Sequence, residues 1–155
     1  MEGKKAPDWE RIEVAVARGG EAFLVFLWRY QLMAGRIPDE RIAMDIATDA
    51  VVYEMSLPCG RLDIAVFHVD GTVSVIEVKD GTKGYTHVVA GIGQASLYAT
   101  QIAFKGQVKG VRRFLMWSSV DVDTDRKIED ACTLAGVNPL PLGSIRAYLQ
   151  ALTHE

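Results

Sequence analysis

Three short segments rich in Val and Ile, from Ile46 to Met55, Arg61 to Val69 and Thr72 to Lys79, follow one another closely. Only Leu57-Pro58-Cys59-Gly60 and Asp70-Gly71 separate them. Segments of this length and composition, punctuated by turn residues, read as strands, and the Asp-Gly pair between two of them is a hairpin signal. Helical patterns stand on either side. From Trp9 to Ala34 apolar residues recur every three or four positions, with Gly19-Gly20 marking a kink or split and Gly35 and Pro38 ending the pattern. A loop at Asp80 to Gly84 leads into a second helical stretch, Val88 to Phe104. Val111 to Val120 then reads as a fourth strand, Asp123 to Ala135 as a helix ended by Gly136, and Ser144 as the cap of a last short helix. The order predicts an α/β fold, a mixed central sheet flanked by helices.

At 155 residues, with 49% hydrophobic and 24% charged residues, the chain has the size and composition of one globular domain spanning residues 1–155. Its core is expected over about 9–120, with C-terminal helices over about 123–152. Two cysteines, Cys59 and Cys132, are too few for a disulfide framework, and neither has neighbours at zinc-ligand spacing. The N-terminal sequence lacks the apolar run of a signal peptide, and no segment is long and apolar enough for a membrane span. The expectation is a cytoplasmic protein with reduced thiols and no membrane partner.

Charges inside the strand block are the unusual feature. Asp63 interrupts an apolar strand, and Glu77 and Lys79 lie in Val75-Ile76-Glu77-Val78-Lys79, where buried charge is costly unless compensated. Alternation puts Glu77 and Lys79 on one face and Ile76 and Val78 on the other. Whether Asp63 joins them depends on the hairpin. A two-residue Asp70-Gly71 loop pairs Val69 with Thr72 and sends Asp63 to the wrong face. A three-residue Asp70-Gly71-Thr72 loop pairs Val69 with Val73 and sets Asp63 opposite Lys79, with Ala65 opposite Glu77. A shared site therefore requires an odd loop or a compensating bulge. In that register two carboxylates offer hard oxygen ligands to Mg²⁺ or Mn²⁺, and Lys79 is placed to orient a water or balance phosphate charge.

Asp63, then Glu77-x-Lys79 starting fourteen positions on, followed by a helix bearing Gln94 and Tyr98, resembles the PD-(D/E)xK nuclease superfamily. It is most similar to the branch with a Gln-x-x-x-Tyr helix, which includes recombination, phage and defence nucleases. The predicted element order resembles that superfamily's restriction-endonuclease-like core, α-β-β-β-α-β; Leu62 stands where the name-giving Pro would be. The resemblance implies a metal-dependent endo- or exodeoxyribonuclease, with Asp63 and Glu77 holding the metal, Lys79 assisting the water and Gln94 positioning water or strand. It also implies a further ligand from the first helix: Glu21 is preferred over Glu10 and Glu13, with Glu54 a fourth candidate. Lys83, Tyr98 and Arg61 are the expected contacts to DNA. Cutting both strands needs two sites, most simply in a homodimer, and specificity comes from loops, dimerisation or a partner protein. The alternative is a silent nuclease-fold module that binds DNA or a partner protein.

Other residues carry less. His68, His87 and His154 stand isolated, and Asp121, Asp123 and Asp125 lack the Gly and Glu of a calcium loop and read as helix caps. The formal net charge of −3 is unevenly spread. Residues 77–113 hold six basic and two acidic side chains, a net +4, whereas residues 37–76 hold two basic and seven acidic, a net −5. A basic block starting at Lys79 suits phosphate contacts.

Overall fold

The computed structural model describes residues 8–153. Its elements run α1 (Trp9–Met33), β1 (Ala50–Leu57), β2 (Gly60–Phe67), β3 (Thr72–Lys79), a 3₁₀ turn (Gly81–Lys83), α2 (Tyr85–Phe104), β4 (Gly110–Trp117), α3 (Val122–Leu134), β5 (Asn138–Pro141) and α4 (Ile145–Thr153). Among the described residues no helix is long and apolar enough to cross a membrane.

The five strands lie in sequence order, β1-β2-β3-β4-β5. The first three form an antiparallel meander, and β4 and β5 add in parallel to β3 through the α2 and α3 crossovers. Alternation divides the core between two faces. Ile64, Val66, Ile76, Val78, Phe114 and Met116 pack with Leu24 and Trp28 of α1. On the other face Val73, Val75 and Ala65 meet Tyr98, Ala99 and Ile102 of α2, and Leu115 and Trp117 meet Val88, Ile128 and Cys132. Helices thus cover both faces, and β3 is buried from Val73 onward.

The sequence-predicted order holds, with two differences. The first strand begins at Ala50, because Asp45 to Asp49 form a turn: Asp45 Oδ1 accepts from the Ala47 amide and Asp49 Oδ2 from the Asp45 amide. Asn138–Pro141, a segment between the two predicted C-terminal helices, is a fifth strand at the sheet edge, where prolines without N–H groups are tolerated. As the glycine pair indicated, α1 is split: two helices join at Gly20, whose φ of +54° suits glycine and is strained for other residues.

Candidate functional site

β2 and β3 pair Ile64 with Ile76 and Phe67 with Val73, and the His68 amide bonds the Thr72 carbonyl. The loop therefore has three residues, as the site requires, but they are Val69-Asp70-Gly71. The expected register is corrected by two positions: continuing the ladder sets Asp63 opposite Glu77, and opposite Lys79 no longer. Parity is preserved, so all three charges belong to the face under α2. Asp70 forms the corner, its Oδ1 accepting from the amide and hydroxyl of Thr72, and Gly71 at φ +89° closes it.

At Asp63 the ladder gives way to side-chain bonding. Asp63 Oδ2 accepts from the Val78 amide at 2.8 Å. Alternation breaks here too, since Leu62 packs on the α2 face with Ala65. Glu77 is 4% exposed and Lys79 9%. Burial, and then the adjacent Asp63 carboxyl, push the Glu77 pKa far above the carboxylate range, with Lys79 pulling the other way. Glu77 Oε2 is buried without a hydrogen-bond partner.

One stripe of α2 roofs these residues: His87, Gly91, Gln94, Tyr98 and Gln101, spaced four, three, four and three. Gly91 lies on the stem of Lys79, where a β-carbon would stand 3.2 Å from Cγ and 2.5 Å from Leu115 Cδ1. Gln94, one turn on, has a buried Oε1 without a partner. Tyr98 is buried, its ring filling the space beside Gly60, where a β-carbon would come within 2.7 Å. Burial and the nearby Glu77 raise its pKa, while a hydrogen bond from the Arg61 backbone opposes them. The ring packs in the core and braces the strand that carries Asp63. Gln101 ends the stripe by bonding both the amide and carbonyl of Cys59.

Glu21 does not converge with Asp63 and Glu77. Its Oε1 accepts from His87 Nε2 and from the Asp80 amide at 3.3 Å, and its Oε2 from Lys83 Nζ at 3.1 Å. Burial alone would raise the Glu21 pKa, but the bonds from His87, Lys83 and Asp80 bring it down to about 2. Among the described residues no group of three or more His, Cys, Asp or Glu side chains is arranged to hold a metal ion, and Glu21 stands apart from Asp63 and Glu77. Glu10 is exposed, the Glu13 side chain lies outside the described residues, and Glu54 is exposed, 3.9 Å from Arg61. Lys83 and Arg61 are both more than half exposed.

Four further residues escaped the sequence reading. His87 is half-buried against Glu21 and is not isolated. Asp80 is buried, accepting from Thr82 and Ser118 through Oδ1, with Oδ2 unpartnered. Ser118 receives the Gly81 amide at 2.9 Å. Gly81 crosses the β4 end so closely that a β-carbon would sit 1.7 Å from the Ser118 carbonyl oxygen. Asp80-Gly81 directly after Lys79 was the available signal. Elsewhere His68 is also paired, bonding Asp49 and Ser74 at 2.7 Å each, while His154 lies outside the described residues.

The donor set suits a hard divalent cation. Asp63 and Glu77 crowd like charges around one spot, and two buried oxygens, Glu77 Oε2 and Gln94 Oε1, have nothing to accept from. Mg²⁺ characteristically takes one or two carboxylates and keeps water for the remainder. No family model matches the chain, and no curated protein matches it in sequence. In structure it is similar to a repair endonuclease from Pyrococcus abyssi, with a TM-score of 0.46 and 14% identity over 92% of this chain; the chain spans 50% of the length of that endonuclease.

Proposed function

We propose that the chain is a metal-dependent deoxyribonuclease whose centre is Asp63, Glu77 and Lys79, with Gln94 beside them. The carrying observation is the pair of adjoining carboxylates under α2, one of them 4% exposed, with a buried lysine as the neighbouring cation. Stability does not explain it. Removing a carboxylate from water costs several kcal/mol, and apolar replacements of buried ionic groups are often neutral or stabilising by about 1–4 kcal/mol. An arrangement that opposes folding and leaves two acceptor oxygens unfilled is suited to a bound cation.

Asp63 and Glu77 would hold Mg²⁺ or Mn²⁺, which when bound supplies Lewis-acid polarisation of a phosphodiester and lowers the pKa of water. Lys79, its stem fixed by Gly91, presents its ammonium to the attacking water and to charge developing on the phosphoryl oxygens. Gln94 Oε1 accepts a hydrogen bond from that water and so orients it. Tyr98 and Gln101 fix the β1–β2 corner, and with it Asp63. Lys83 and Arg61 supply phosphate contacts at the rim. Substrates in this reading are DNA strands met in recombination, repair, defence or mobile-element biology, cut internally or from an end in the cytoplasm, with specificity added by a second copy or a partner protein.

The test is cleavage of linear, branched and single-stranded DNA with Mg²⁺, with Mn²⁺ and with chelator. Cation-dependent cleavage that disappears in Asp63→Ala supports the reading. DNA binding without cleavage of any substrate, unaffected by chelator, replaces it with a silent binding module.

A further inference from the structure

A helix that is apolar on every side belongs in an interior, yet the second half of α1, which meets the sheet and α4, leaves one side uncovered. From Ala22 to Ala34 it carries a single charged side chain, Arg29. Leu24, Leu27, Trp28 and Gln31 are buried, Leu24 and Trp28 against the sheet. Phe26, Tyr30 and Met33, spaced four and three, form an outward stripe that is 58%, 56% and 81% exposed, and Ile37 continues it at 43%. Aromatic side chains offer about 200 Å² each, so Phe26 and Tyr30 together present on the order of 200 Å² and the whole stripe about 400 Å². That is about half of the ~800 Å² each partner contributes to a standard protein interface.

The stripe borders β1, the sheet's antiparallel edge, whose Tyr53 turns toward α1. Between helix and strand lies a notch of about 150 Å³ lined by Ala22, Val25, Phe26, Arg29, Tyr53 and Glu54. Arg29 lies over the Tyr53 ring at 5.3 Å and Glu54 has only a 3.9 Å contact with Arg61, so the notch carries one charge of each sign. A projecting apolar side chain, a hollow and complementary charges on one surface are what a two-fold contact between identical copies requires, because each patch must meet itself.

We propose that this face joins two copies of the chain, α1 against α1, crossing antiparallel about a point between Phe26 and Tyr30. That centre sets each Phe26 against Tyr30 of the second copy and brings each Met33 to the second copy's notch at Ala22 and Val25. Arg29 of one copy then approaches Glu54 of the other, and the rim of β1 completes the contact. The inference is independent of the reading of Asp63, Glu77 and Lys79.

Sedimentation velocity of the full chain without DNA, from about 1 to about 100 µM, tests it. The expected species has twice the 17.0 kDa chain mass. Met33→Glu and Phe26→Glu change exposed positions and should leave the circular dichroism spectrum unchanged while weakening association by about 100-fold or more, since each buries an unpaired charge at the contact. Leu97→Glu, at an exposed α2 position away from the stripe, should leave the mass unchanged. A 17.0 kDa species throughout the range overturns the proposal, as does a dimer indifferent to both α1 substitutions or an open series of larger assemblies.

Discussion

Glu77 opposes its own ionisation: buried, beside Asp63, it retains one oxygen without a partner. Glu77→Gln keeps the shape and removes the cost of holding a buried acid in its neutral form. The metal-free protein should melt at the same temperature or higher, by about 2–4 °C for each kcal/mol of relief, whereas cleavage should fall by about 100-fold or more. Scanning calorimetry beside a cleavage assay separates the two effects, and a large loss of stability would instead make Glu77 a structural residue. Glu21 behaves oppositely. Its pKa of about 2 lies below the ordinary 4.5, so its ionised form favours the folded state above about pH 4.5, and that contribution is lost as pH falls toward 2. Glu21→Gln should flatten stability against pH across that window, measured by urea midpoints at several pH values. Asp63, Glu77 and Lys79 were legible in sequence because charge is conspicuous in an apolar strand. The Glu21 and His87 pairing was not, since sixty-six positions separate them, Glu21 read as a metal ligand and His87 as an isolated side chain.

The elements show why α2 contains glycines. Gly91 packs on Lys79 and Leu115, whereas a β-carbon on Gly93 would meet nothing within 4 Å. Gly93→Ala should stabilise by about 0.5–1 kcal/mol through helix propensity. Gly91→Ala should destabilise by about 1–3 kcal/mol through overpacking and lower cleavage as well, because it displaces the lysine stem. Equal effects from the two substitutions would remove Gly91 from the positioning of Lys79. Sequence periodicity located α2 but could not distinguish these glycines, which differ only in what lies opposite. The hairpin was legible in the same partial way. Asp70-Gly71 marked the turn, yet its frame depended on Asp70 capping Thr72 at the start of β3. Pro139 and Pro141 concealed β5, because strand patterns discount proline and only an edge position accommodates two.

Across the whole molecule the net charge of −3 conceals a basic block beginning at Lys79 and an acidic one before it. DNA binding should therefore weaken with salt, and Lys83→Ala should lower the slope of log K against log salt by about 1; an unchanged slope places the phosphates elsewhere. The apolar face of α1 lay in plain view in the sequence, but which side of the helix the sheet would leave uncovered depended on the register of every strand beneath it. The most direct measurement is the single-turnover rate of DNA cleavage at saturating Mg²⁺ for the wild type and for Lys79→Ala, with Mn²⁺ affinity measured on both proteins. Cleavage reduced by about 100-fold or more with cation affinity retained is the expected result for a lysine acting beside a bound cation. Cleavage undiminished in Lys79→Ala would contradict a centre built on Asp63, Glu77 and Lys79.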